Sequence, residues 1–509
     1  MNQPPISAPT RTNSPIFRPP AASRRYRSWC SVALGGAALA IASLSLPAAT
    51  LYIPNASFES PAIPQFGPVI DSWVKAPQPG TFDPNVFGSW DNLTGLFVNF
   101  PGTPYSIDNA SGNQLAFLFS YPQVGLSQTL PAKFQPNKTY TLTVGLTTSI
   151  VEPLTQGATL ALRLGYLDAS TNLVTVAAST VTYDTNIFSN PTHLVDIQVA
   201  VTNVAPSDAA VGRNISLQFE STVDPRLLGG VWDLENVRLT EAVYVPNASF
   251  EAPVVPQFGP VVDAWTKAPQ PPTFDPNVFG SWDNLAGLFV NFPGTPYSID
   301  NAAGNQLAFL FSYPQVGLFQ DLNARFEPGA AYTLTAGLTT SIVEPLTPGA
   351  QLLLSLYYRD GTGNPVTLGA TTVTYSTNVF TNATHLLDFS VSIPGVKPSD
   401  PWASQPIGVQ LMSIVDPFLI GGVWDVENVR LVDTVAPALV NPGITAGQFQ
   451  ATIRSEPGLH FEVLASTDLT ASVTNWTSVG TVTNTTGATV FTDALRGTSR
   501  HFYTVRTAP

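Results

Sequence analysis

The sequence predicts an all-β chain, with two tandem β-sandwich domains followed by a smaller β domain. Three observations carry this. Only 11% of the 509 residues are charged, while Gly and Pro number 37 and 47, a composition poor in amphipathic helices and rich in turns. Short runs alternate polar and apolar residues, as in 139–146 and 214–219, which is the period of a strand with one buried face. Most telling is a gapless duplication: Asn55 and Asn247, and likewise Trp232 and Trp424, stand 192 residues apart, and 273–318 reproduces 81–126 except for Ala286 in place of Thr94 and Ala303 in place of Ser111.

Taken in order, residues 1–49 read as an export signal. Arg24, Arg25 and Arg27 precede an apolar stretch from Val32 to Leu46, closed by Pro47, Ala48 and Ala49. At roughly 15 residues the stretch falls short of the ~20 a bilayer span needs, so no transmembrane segment is expected in the mature chain. Cys30 is the only cysteine and lies inside this signal, so the exported protein has no disulfide to hold it. Secreted or cell-surface placement follows as the expectation.

The copies occupy 51–242 and 243–434. Units of this size are domains rather than solenoid repeats, which run to ~20–50 residues. Within the first copy, 113–119, 159–167, 193–201 and 231–239 are further strands, with turn signals such as Pro136-Asn137 between them. Many short strands in a domain of about 190 residues favour a two-sheet jelly roll. Leu162-Arg163-Leu164 becomes Leu354-Ser355-Leu356, which places Arg163 on the solvent side of its strand. After a linker at 434–437, residues 438–509 carry strands at 449–453, 460–465, 489–492 and 501–506. With Asn475-Trp476 and Phe502-Tyr503, this segment resembles the fibronectin-like or immunoglobulin-like modules that end many exported bacterial proteins.

A net charge of −13 and 21 Lys plus Arg leave too little basic surface for nucleic acid, so none is expected as a partner. Catalytic motifs are absent: there is no Gly-x-Ser-x-Gly elbow, no His-Glu-x-x-His and no cysteine nucleophile. No catalytic residue is assigned, although Asp91, Glu152, Asp224 and Asp233 are carboxylates able to serve as general acids.

Ligand-contacting residues are expected in the middle of each copy. Residues 82–92 and the rings that follow combine aromatics, amides and acids, a mixture suited to stacking on sugars and hydrogen bonding to them. Trp90, Asp91, Tyr105 and Tyr121, with Trp282, Asp283, Tyr297 and Tyr313, are the candidates. Two such sites on one chain suit bivalent engagement of an extracellular glycan or polymer.

The opening Asn55-Ala-Ser-Phe58-Glu59 and closing Trp232-Asp233-Leu234-Glu235-Asn236-Val237-Arg238-Leu239 resemble the first and last strands of galactose-binding-like jelly rolls, the fold of many carbohydrate-binding modules. The resemblance implies a structural Ca²⁺ where an acid after the first strand meets one from the last, here Glu59 with Asp233 and Glu251 with Asp425. Hard cations take carboxylate and carbonyl oxygens, and such a staple suits a disulfide-free domain.

Gly112-Asn113-Gln114-Leu-Ala-Phe117, then Gly125-Leu-Ser-Gln128-Thr-Leu130, then Asn137-Lys-Thr-Tyr140-Thr-Leu142-Thr-Val144 resemble the Stig (hapalindole-type) cyclases. That resemblance implies a calcium-binding jelly roll in which an acidic residue protonates a small hydrophobic substrate during rearrangement and cyclisation. Binding, cyclase chemistry and a structural role in a surface matrix are thus three expectations. A deep apolar cavity with one perturbed carboxylate marks the cyclase, and a shallow aromatic groove marks the binder.

Overall fold

The computed structural model describes residues 49–435, 437–455, 459–484, 487–494 and 501–507. Apart from Ala49, the expected export signal lies outside the described residues. Among the described residues, no helix is long and apolar enough to cross a membrane.

The first copy is a sandwich of two antiparallel sheets. One sheet takes the order β2 (Phe66–Gly67), β4 (Thr94–Val98), β5 (Gln114–Phe119), β12 (Val231–Val243), β7 (Lys138–Thr148), β10 (Val195–Val201). The short β1 (Ala49–Leu51) pairs with the far part of β12, Leu51 opposite Leu239. The second sheet runs β3 (Val74–Lys75), β6 (Gly125–Lys133), β11 (Asn214–Ser221), β8 (Thr159–Leu167), β9 (Leu173–Thr182).

The jelly roll expected from the alternating runs is thus present, and period-two sterics explain where its core sits. Along β5, Ala116 and Leu118 point between the sheets and are fully buried, while Phe117 and Phe119 point to the other face. Along β12, Trp232 and Leu234 fill the core, leaving Asp233 and Glu235 on the outer face of the first sheet. Trp73 packs between Phe58 and Phe219 and donates from Nε1 to the Asn55 carbonyl, tying the entry of the domain to its second sheet. Arg163 lies on the outer face of the second sheet against Gln218 and Glu220.

The second copy repeats each element and adds no strand of its own at the start. The tail of β12 supplies it: Val243 pairs with Leu431 of Val423–Val435, so the two first sheets merge into one of 13 strands. Lys138 of β7 reinforces the seam by pairing with Asp433 of the second copy, with Glu241 3.8 Å away. The C-terminal segment forms two three-stranded sheets, Ala438–Thr445, Gln448–Arg454 and Ala488–Ala494 in one, and Thr477–Asn484, Leu459–Ser466 and Phe502–Thr507 in the other. Its core is small, built on Ile453, Phe461, Val463 and Phe491.

Candidate functional site

Outward-facing side chains of β4, β5 and β12 form the floor of a cavity of about 520 Å³ in each copy. In the first copy Phe97, Phe117 and Phe119 lie along the sheet, and Asp233 rises between them opposite Phe117. Gly95 is required here: a Cβ would come within 2.4 Å of the Gly67 carbonyl and 2.9 Å of the Phe117 ring. Phe66 of β2 and the loops bearing Phe100, Tyr105, Ile107, Ile150, Val151 and Glu152 complete the walls.

The wall loop is fixed by its own side chains. Asn99, buried, donates from Nδ2 to the Ile107 carbonyl at 3.0 Å and accepts the Ile107 amide at 2.9 Å. Asn109 brackets both backbone groups of Leu194, and the His193 Nδ1 lies 2.6 Å from Asp108 Oδ1. The same bonds recur at Asn291, Asn301, His385 and Asp300.

The floor acid is the unusual group. Asp233 is 7% exposed, and no donor among the described residues meets its carboxylate. Burial holds its carboxyl well above the ordinary carboxylate range, and Asp425 behaves alike in the second copy. A carboxyl kept neutral in an apolar cavity is a proton donor rather than a charge.

The metal pairs expected from the sequence do not come together. Glu59 accepts the Gln114 amide at 2.8 Å, three residues along β5 from Phe117, the cross-strand partner of Asp233. At ~3.3 Å per residue this separates Glu59 from Asp233 by roughly 10 Å. Its acidic neighbour is Glu235, two positions along β12 on the same face. Burial raises the Glu235 carboxyl and the charge of Glu59 adds to this, against lowering hydrogen bonds from Ser111. In the second copy, burial and the Glu251 charge push Glu427 up to about 7. Gly112 makes room for the first pair, since a Cβ there would meet Glu59 Oε1 at 2.1 Å. Two adjacent carboxylates, Glu235 buried and Glu59 half-buried, are the donor chemistry Ca²⁺ takes, so the pair fits such an ion in kind. Among the described residues, no three His, Cys, Asp or Glu side chains gather as a metal-holding group.

The expected ligand residues divide between two places. Tyr105 and Tyr297 stand at the mouths of the apolar cavities, 57% and 58% exposed. Trp90 and Asp91 instead line a separate polar crevice of about 480 Å³ with Lys75, Gln78 and Ser89, matched by Trp282 and Asp283 with Lys267 in the second copy. Trp90 is buried there, its Nε1 donating to the Ala76 carbonyl at 2.8 Å. Tyr121 packs edge-on against Phe82, Phe87 and Trp90, and Tyr313 repeats this packing. Lys75 donates to the Asp91 and Thr94 carbonyls, and burial lowers its pKa. The cavity floor residues Phe97, Phe117 and Phe119 were outside the sequence-derived set; odd-numbered spacing along β5 was the available signal.

With this geometry in place, comparison with known proteins is informative. The HpiC1-like family model, described as HpiC1 cyclase, matches the chain twice, over residues 49–240 and 241–432. No curated protein matches it. Among solved structures, an apo-form cyclase from Fischerella sp. is 22% identical, covering 39% of this chain and 98% of its own with a TM-score of 0.31. The Stig cyclase Fisc from Fischerella sp. TAU, in complex with (3Z)-3-(1-methyl-2-pyrrolidinylidene)-3H-indole, is 21% identical, covering 39% of this chain and 100% of its own with a TM-score of 0.31. The tandem CBM22-1-CBM22-2 domain of Paenibacillus barcinonensis Xyn10C is 13% identical, covering 75% and 97% with a TM-score of 0.25. Matched by the same family model in both of its copies and over more than half its length, the chain belongs to the HpiC1-like family.

Proposed function

We propose that each copy is a cyclase-type site in which Asp233, or Asp425, protonates a small hydrophobic substrate held against the aromatic floor. The observation that carries this reading is the unpartnered, buried carboxyl in an apolar cavity. Burial favours its protonated form, so it has a proton to give; after transfer, its carboxylate lies beside the cation it has made, among aromatic walls. The clamped loop bearing Ile107 and Tyr105 holds the substrate over that acid, which limits the conformations from which it reacts. Ca²⁺, held by Glu59 with Glu235 and by Glu251 with Glu427, would brace the start of each domain against its last strand. The family membership supports this reading, and the export signal expected from residues 1–49 supports an activity outside the cytoplasm.

The binding alternative rests on the polar crevice, where Trp90, Asp91, Lys75, Gln78 and Ser89 offer donors and acceptors that suit an extracellular glycan or polymer. The two readings separate in one experiment. The chain is screened by thermal shift against hydrophobic small molecules and by retention on insoluble polysaccharides, and hits from the first screen are assayed for conversion. Conversion abolished in Asp233→Asn/Asp425→Asn supports the cyclase site. Polysaccharide retention lost in Lys75→Ala/Lys267→Ala, with no conversion of any hit, replaces it by the binder.

A further inference from the structure

On the reverse side of the cavity floor, inside each sandwich, lies a layer of buried polar groups. Phe119 and Val231 face the cavity, and the same two chain segments turn Ser120 and Trp232 towards the core. Ser120 follows β5 directly and its amide donates to the Gly230 carbonyl, one step along from the pair formed by Leu118 and Trp232. Residues 121–124 then cross to the second sheet, where the Ser221 amide donates to the Val124 carbonyl and the Ser221 carbonyl accepts from the Gln123 amide. Ser221 continues the buried face of Leu217 and Phe219 on β11, so its side chain points back under the crossing. Ser120 and Ser221 are 1% exposed and Trp232 is 0% exposed, yet among the described residues no group meets either hydroxyl or the indole N–H.

Buried polar groups take their hydrogen bonds from protein or from ordered water. Facing sheets lie ~10 Å apart and a serine hydroxyl reaches ~2.5 Å inward, so roughly 5 Å separates the two oxygens, the span of one water that meets each at ~2.8 Å. The three groups also define what can sit there. An indole N–H only donates, which turns away a cation, and the core-facing neighbours Leu118, Thr148 and Leu160 offer no charge to balance an anion. The occupant is therefore neutral, no larger than water, and able both to accept and to donate. The second copy repeats the set at Ser312, Ser413 and Trp424, again without partners among the described residues. Beside it the copies have drifted: Thr159 and Thr222, bonded to each other in the first, have become Gln351 and Ile414.

We infer that each sandwich binds one internal water molecule in this layer, which accepts from Trp232 Nε1 and bridges the hydroxyls of Ser120 and Ser221, or from Trp424 Nε1 between Ser312 and Ser413. Three hydrogen bonds are the usual complement of a buried water. The molecule ties the end of β5 and the start of β12, both floor strands, to β11 of the second sheet, at the point where the chain crosses from one sheet to the other.

The test joins a crystal structure of the unsubstituted chain, at a resolution that shows ordered water, to the melting temperatures of Ser120→Ala/Ser312→Ala and Ser221→Ala/Ser413→Ala. A water peak within hydrogen-bonding distance of all three groups is expected in both copies. The melts separate the readings by sign. A hydroxyl without a partner is a buried cost, so its removal raises the melting temperature, whereas a hydroxyl that anchors the water loses a bond, and each double variant then melts about 2–4 °C lower. A peak missing from either copy overturns the site, as does an indole N–H turned onto the ring of Tyr183 or Phe188, which both meet Trp232 edge to face. A peak in a protein whose two double variants both melt higher overturns the bridge between the serines. Lower melting with no peak gives the hydroxyls protein partners and overturns it as well.

Discussion

Replacing Asp233 by Leu should stabilise the protein while abolishing its chemistry. The carboxyl is 7% exposed, has no hydrogen-bond partner among the described residues, and is displaced from its ordinary range by burial. A buried polar group left unsatisfied costs about 1–3 kcal/mol, and Leu, similar in size, adds apolar contact with Phe97, Phe117 and Phe119. For a domain of this size each kcal/mol is worth roughly 2–4 °C, so Asp233→Leu is expected to raise the melting temperature by about 2–12 °C. The gain depends on pH with a definite sign. A carboxyl that burial raises above the ordinary carboxylate range favours the folded state most at low pH, and that contribution is lost as pH rises towards the folded pKa. The advantage of Leu therefore keeps a pH-independent part, from the unsatisfied carboxyl and the added apolar contact, and grows on top of it from about pH 4 upward. Differential scanning calorimetry at pH 3.5, 5 and 7 reads this directly. A melting temperature that falls in the variant, or a gain that does not change with pH, refutes the assignment of Asp233 as a strained, neutral acid.

Two further outcomes follow from the same structure. Gly95→Ala places a methyl against the Gly67 backbone, which cannot yield cheaply, so a loss of about 1–3 kcal/mol in chemical denaturation is expected, with weakened hydrocarbon binding; unchanged stability would show that the floor is looser than described. In EDTA, the Glu251 and Glu427 pair should destabilise the second copy as pH rises from 4.5 towards 7, by up to about 3 kcal/mol. Calcium at a hundredfold excess over its dissociation constant would return about 2.7 kcal/mol; no calcium-dependent shift at pH 8, or one that persists in Glu235→Gln/Glu427→Gln, removes the ion from the proposal.

Much of the fold could be read from the chain because strands write their burial in period two and the second copy repeats the first in register. The site was less legible. Phe117, Asp233 and Phe97 share a floor although long stretches of chain separate them, and only strand pairing brings them together. Aromatic density at 82–92 was visible, but density does not say which face a ring takes: Trp90 turned inward to bond Ala76, while Tyr105 stayed at a mouth. For Glu59 the closing strand was the right place to look for an acidic partner; a step of two residues, from Asp233 to Glu235, keeps the same face and moves about 7 Å, which is the difference between a cavity floor and a carboxylate pair.

The strand shared by the copies means that the repeated stretch of sequence and the unit that folds are out of phase. Val243 ends the last strand of one domain and begins the next, so the second copy cut out at residue 243 would keep that residue but lose the strand that holds it in place. With no tether between them, the two cavities keep one fixed separation. Any ligand that engages both must already match that spacing, and gains everything or nothing from the second contact, where a flexible join would offer a graded advantage across many lengths.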